Sequence, residues 1–139
     1  MDDKDRLLAV KGRVYPTDLN PAGTVFGGWV MGKMDKAASI AVDDIVFSKF
    51  VTVSVSNLHF KKPIRSGDIF TIYTKITNIG NTSITIKVEV EVKDHVSNKE
   101  FPVTEADFKF VTVNSDGSPR AVREVLRREI PDYVAKLAE

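Results

Sequence analysis

The sequence predicts an α+β domain, one long helix followed by long antiparallel strands. Two observations carry that prediction. Between residues 24 and 42, Val30, Met31, Met34, Ala38, Ala41 and Val42 fall on one side at about 100° per residue. After residue 50 the apolar period changes to two and keeps returning until residue 113. A sheet with one apolar face needs a cover, and only one long helix is available in the body of the chain. The sheet therefore either curves around that helix or shares the work with a second sheet through a dimer.

The bounds agree with one domain. The chain has 139 residues, enough to bury a core without staples. With 20 basic and 19 acidic side chains the net charge is +1, which gives no argument for a nucleic acid or membrane partner. There is no cysteine, so disulfides, thiol nucleophiles and cysteine metal sites are excluded. The charged N-terminus "MDDKDRLLAV" has no secretory h-region, and no run approaches 18 apolar residues. A cytoplasmic protein is the default expectation.

In chain order, "RLLAVKGRV" reads as a short strand. Pro16, Asp18, Asn20, Pro21 and Gly23 crowd into turn chemistry. Thr24 is the expected N-cap of a helix running from Val25 to Val42. "FVTVSVSNLHF" sets Val51, Val53 and Val55 against Thr52, Ser54 and Ser56. "DIFTIYTKITNI" follows, and "GN" at 80 and 81 makes a tight turn. Ile84, Ile86, Val88, Val90 and Val92 then share one face, and Ala106, Phe108 and Phe110 share another. "NSDGSP" closes the last strand. The tail "RAVREVLRREIPDYVAKLAE" reads as a charged helix broken near Pro131.

The stretch "NPAGTVFGGWVMGKMDKAA" stands out. Glycine costs about 1 kcal/mol relative to alanine inside a helix, yet Gly27 and Gly28 stand together at the helix start. First-turn N–H groups have no helical partner and carry the positive end of the dipole. Two glycines there fit either a close approach to the backbone by a ligand or close packing against a strand. Asp35 sits on the shoulder of the apolar face, beside Met31, Gly32 and Ala38.

That stretch, with "VTVSVSNLHFKKPIRSGD", "GNTSITIKVEV", "TEADFKF" and "DGSPR", resembles the hot-dog fold acyl-CoA thioesterases, most closely the small bacterial broad-specificity acyl-CoA hydrolases. Five segments agree in order, from about residue 7 to 122. The resemblance implies a curved sheet wrapped around one central helix, a hot-dog domain over 1–122 and a C-terminal helical tail over 123–139. It also implies hydrolysis of an acyl-CoA, a homodimer joined by a continuous sheet, and trimers of such dimers. Coenzyme A is then part of the substrate, and no separate cofactor is expected.

On that resemblance, Asp35 is the candidate general base for a water, or the nucleophile that attacks the thioester. Gly27 and Gly28 are candidate oxyanion donors. Those glycines and Asp35 are eight residues apart at the Gly27 end, about 12 Å along a helix. If both act on one thioester, they come from different subunits. Asn20 is implied to hold the water or the carbonyl, or is simple turn chemistry. Thr82 and Ser83 are implied to lie near the site, or are hairpin residues. Lys61, Lys62 and Arg65 around Pro63, with Arg120, are candidates to grip the phosphates of coenzyme A. Trp29, Met31, Met34 and Phe60 line an acyl tunnel or belong to the core.

Rival chemistries lack their residues. There is no G-x-S-x-G elbow, no Walker loop, no metal-ligand cluster in the spacing, and no serine framed by His59 or His95. "DLNPAG" resembles the loop of the hydratase branch of the same fold, but Gly23 stands where that branch has histidine. Another thioesterase branch would use Asp18, with a different helix. A non-catalytic acyl-CoA sensor is the alternative from a different class, and it would not need Asp35.

Overall fold

The computed structural model describes residues 4–139. Met1, Asp2 and Asp3, which begin the charged N-terminus read above, lie outside the described residues. The elements run β1 (Leu7–Arg13), a 3-10 turn (Pro16–Asp18), α1 (Gly27–Ile45), β2 (Lys49–Phe60), β3 (Ile69–Ile79), β4 (Ser83–Lys93), β5 (Glu100–Val113), α2 (Val122–Val125) and α3 (Asp132–Leu137). The five strands form one antiparallel sheet in the order β1-β3-β4-β5-β2. Helix α1 packs on β1, β3, β4 and β5. Four strands reach one rod only if the sheet curls about it, so the sheet wraps the helix, as the hot-dog resemblance implies.

The core is the contact between that concave face and one stripe of α1. Val30, Met34, Ala37, Ala38, Ala41, Val42 and Ile45 are buried on the helix side. Ile84, Ile86, Val88, Val90 and Val92 of β4, and Ala106, Phe108 and Phe110 of β5, are buried on the sheet side. Alanines at 37, 38 and 41 let the helix lie close to the strands. Met34 is fully buried in the core, and Trp29, half-buried, packs edge-on against Phe70 at 5.3 Å.

Three expectations need correction. The helix begins at Gly27, not Val25, and its N-cap is Phe26 rather than Thr24. Val25 is held extended, its N–H donating to Ile64 O at 2.9 Å, and Thr24 is occupied with Asn20. The helix also runs on to Ile45. The tail forms only two short helices, because residues 125–127 spend their backbone on the end of α1. Phe47 N–H donates to Val125 O at 2.9 Å, and Arg127 N–H to Ile45 O at 2.8 Å. Val122, Val125 and Val134 join the core cluster, and the Tyr133 hydroxyl accepts the Ile76 N–H at the bulge in β3.

Strand β2 does not keep the expected alternation: its register shifts between Thr52 and Ser54, so Thr52 and Val55 both face the concave side, opposite Phe110 and Phe108, while Val51 lies on the other face opposite Val111. Val51 is 49% exposed and Val53 51%, because β2 is the edge of the sheet. Among the described residues, no helix is long and apolar enough to cross a membrane.

Candidate active site

The helix start opens into a pocket of about 290 Å³ between α1, the end of β2 and the loop after it. Phe26 is extended and caps nothing with its side chain. The first amide turned back along the helix is that of Val30, donating to Phe26 O at 3.2 Å. The N–H groups of Gly27 and Gly28 therefore have no helical acceptor. The two glycines differ in why they are small. A Cβ on Gly27 would lie 3.3 Å from the ring of Phe60, whereas one on Gly28 would meet nothing within 4 Å. Close packing against a strand thus applies to Gly27 and leaves Gly28 unexplained by packing. Val30, Ile64, Phe60 and Thr104 give this pocket its walls, and Lys61 and Lys62 line it too.

Asp35 lies two turns further along, facing β2. Thr52 donates its hydroxyl proton to Asp35 Oδ1 at 2.7 Å. Met31, Gly32, Val55 and Phe108 complete a groove of about 240 Å³ around this pair. Gly32 contributes no side chain, so the carboxylate is reached from that side. Among the described residues Asp35 has no cationic partner and no second hydrogen bond. A carboxylate held at one oxygen, with the other open to a groove, is arranged to take a proton or to attack. Thr52 was not legible as a site residue, since a threonine on an alternating strand is ordinary; only the fold brings it to Asp35.

Gly27 and Asp35 belong to the same unbroken helix, about 12 Å apart along its axis. They line two separate cavities that share no residue.

The other expected residues scatter. Asn20 is committed to its loop. Its Oδ1 accepts the N–H groups of Ala22 (2.9 Å) and Thr24 (3.2 Å), and its Nδ2 donates to Thr24 Oγ1 at 3.1 Å. Thr82 and Ser83 stand in the β3–β4 hairpin, where Thr82 O accepts from Thr112 N–H and Ser83 O from Gly80 N–H. Within one chain they come to neither cavity. Lys61 is paired with Glu105 at 3.3 Å, and Lys62 lies 4.8 Å from the Phe101 ring centre. Arg65 is exposed beside them, its N–H donating to Asp68 Oδ2. Arg120 is elsewhere, 3.8 Å from Glu124, in a groove of about 900 Å³ with Phe47, Lys49 and Arg127.

The fold also gathers one cluster that the spacing hides. Asp68, Asp94 and His95 bring ligand-type atoms within 4.8 Å of one another. Both carboxylates already serve their loops. Asp68 accepts from Arg65 N–H, and Asp94 accepts from the Ser97 hydroxyl and from the N–H groups of Val96 and Ser97. The Ser97 hydroxyl bond, with those N–H groups, holds the Asp94 carboxyl below its usual range.

Residues 22–98 match the family model described as thioesterase superfamily. The chain is 36% identical over 118 residues to acyl-CoA thioester hydrolase YciA of Escherichia coli, covering 83% of this chain and 89% of that protein. It is 35% identical over 136 residues to an uncharacterized acyl-CoA thioester hydrolase of Haemophilus influenzae, covering 96% and 88%. Its fold is similar to the crystal structure of a hexameric broad-specificity acyl-coenzyme A thioesterase, with a TM-score of 0.82 at 35% identity, covering 99% of this chain and 92% of that one. A family-model match over more than half the chain, with relatives of this identity and coverage, makes this chain a member of the thioesterase superfamily.

Proposed function

We propose that this protein is an acyl-CoA thioester hydrolase, with Asp35 as its catalytic carboxylate and the Gly27 and Gly28 N–H groups as its oxyanion hole. The observation that carries this reading is the Asp35 carboxylate, oriented by Thr52 in an open groove, on the helix whose N-terminus is uncapped. In the reaction, an oxygen adds to the thioester carbonyl carbon and the carbonyl electron pair moves onto its oxygen, towards the helix-start donors. Collapse breaks the C–S bond, the coenzyme A thiolate leaves and takes a proton, and the carboxylic acid is released. The adding oxygen is a water deprotonated by Asp35, which gives the acid directly, or Asp35 itself, in which case collapse leaves an acyl–Asp35 anhydride that a water then hydrolyses to the acid and the free carboxylate. A single turnover in ¹⁸O-water distinguishes these: label carried into the Asp35 carboxylate marks the direct attack.

A self-assembled protein follows from the same site. Strand β2 is a long edge with exposed valines, a feature that proteins cover. A second copy pairing antiparallel along β2 would extend the sheet. A two-fold axis near Ser56 would set Thr52 opposite Phe60 of the partner subunit. Asp35 of one chain would then stand beside the other's helix start, as the 12 Å separation requires. Trimers of such dimers are the proposed full assembly; similar structures are hexameric. Lys61, Lys62, Arg65 and Arg120 are the proposed phosphate contacts, and Asn20, Thr82 and Ser83 the proposed further site residues, contributed across such interfaces.

The test is release of free thiol from a panel of short to long acyl-CoA esters by the purified protein. Folded protein that releases none overturns the reading. Hydration of an enoyl-CoA instead would favour the hydratase branch. The loop argues against that branch: Gly23 has φ +84°, a left-handed backbone in which a histidine is strained.

A further inference from the structure

Thr104 on β5 is 1% exposed, and its Oγ1 has no hydrogen-bond partner. It is the one such buried side-chain oxygen or nitrogen among the described residues. A hydroxyl shut away from water without a partner destabilises a fold, and such groups call for an explanation. The surroundings of Thr104 offer one. Its cross-strand neighbours are Val90 on β4, buried in the core, and Phe60 on β2. Cross-strand neighbours share a face, so Thr104 points to the concave side. Phe60 is also the residue whose ring meets Gly27. Thr104 accordingly lines the same pocket of about 290 Å³ as Gly27, with Val30, Ile64 and Phe60 as apolar walls.

That pocket is therefore lined by two residues with unengaged hydrogen-bond donors, Gly27 with its N–H at the start of a 19-residue helix and Thr104 with its buried hydroxyl on the facing strand. Thr24, Lys61 and Lys62 also line the pocket, and beside the apolar side chains of Val30, Ile64 and Phe60 the two donors suit an acceptor attached to a hydrocarbon. A thioester carbonyl on an acyl chain is such a group, and its oxygen gains negative charge as the tetrahedral intermediate forms. We propose that Thr104 is a further catalytic residue: its hydroxyl donates to the thioester carbonyl oxygen beside the Gly27 N–H and stabilises the oxyanion. Thr104 keeps its proton throughout; the added electron pair rests on the substrate oxygen and returns when the C–S bond breaks. The proposal rests on the reading of the helix start as the carbonyl-binding end of the site.

Thr104→Val replaces the hydroxyl with a methyl of similar shape, and Thr104→Ser keeps the hydroxyl. Removing an oxyanion donor costs about 10²–10³ in kcat, so the valine variant should lose roughly that factor with KM changing little. Its thermal midpoint should equal or exceed that of the wild type, since an unpaired buried hydroxyl is gone. The serine variant should recover most of the rate. Thr104→Ala serves as a second hydroxyl-free variant if valine does not fold. A valine variant with full kcat, or one that changes KM alone, overturns the proposal. So does a fall in thermal midpoint in the valine variant that serine reverses, which would give the hydroxyl a structural role. If the wild type itself releases no thiol from any ester, the hydrolase reading fails and this proposal with it; an active wild type with an equally active valine variant fails only this proposal.

Discussion

Thr52 donates its hydroxyl proton to Asp35 Oδ1 across 2.7 Å, so edge strand β2 and central helix α1 hold one carboxylate between them. The bond fixes the direction of the carboxylate and leaves Oδ2 open to the groove. Asp35→Asn keeps the shape and removes the base or nucleophile, and should lower kcat by about 10²–10⁴ with substrate binding retained. Thr52→Val removes only the orienting bond to a charged acceptor, and should cost about tenfold or more in kcat. Added to Asp35→Asn, it should cost almost nothing further, because the two side chains act as a unit. Steady-state kinetics of the three variants check this. Additive losses would mean that Thr52 does not work through Asp35.

The paired glycines separate by packing. A methyl at Gly28 meets open space, and alanine restricts the unfolded chain. Gly28→Ala should therefore melt at or slightly above the wild-type temperature. Its kcat/KM should nevertheless fall at least about tenfold, if the thioester approaches the backbone there. Gly27→Ala should lose a little stability as well, because the Phe60 ring must give way at 3.3 Å. Calorimetry paired with a thiol-release assay distinguishes the two positions.

Much of the fold was legible because its largest forces leave periodic marks. The run from Ile84 to Val92 is buried at every second residue, as its alternation implies. Asp35 was legible because an acid among methionine, glycine and alanine breaks the pattern of a core-facing helix. The helix start was misread because Val25 and Thr24 are used by long-range partners, Ile64 and Asn20, that local propensity does not see. The valines of β2 show what periodicity leaves out: a bulge between Thr52 and Ser54 sets Val51 and Val55 on opposite faces, and an alternating pattern does not say whether a helix or another chain covers either one. Thr52 and Thr104 carry no sequence signal, since threonine is a common strand residue. Their significance comes from what the folded chain sets beside them.

Glu105 gives a pH-dependent test of the loop beside the helix-start pocket. Burial pushes its carboxyl up, but the hydrogen bond and charge of Lys61, with Lys87 behind, more than offset this and hold it below its usual value. A carboxylate whose pKa falls on folding stabilises the protein above its unfolded pKa, and that contribution is lost as pH falls through the folded value. Wild type should exceed Glu105→Gln in stability near neutral pH, by under about 1 kcal/mol for so exposed a pair. The gap should close below about pH 4 and shrink in high salt. Denaturant titrations at several pH values measure it. A gap that persists unchanged in acid would mean that the pair contributes nothing.

The central claim is that one active site takes its oxyanion donors from one chain and its carboxylate from another, and complementation tests it most directly. An Asp35→Asn chain is refolded together with a Gly27→Val chain, each inactive alone. In a two-fold dimer, a mixed pair has one site with both defects and one with neither. Random equal mixing makes half the dimers mixed, so thiol release should recover to at most about a quarter of the wild-type rate. No recovery, with mixed dimers demonstrated by mass spectrometry, would mean that each chain carries a complete site and that the two-chain arrangement is wrong.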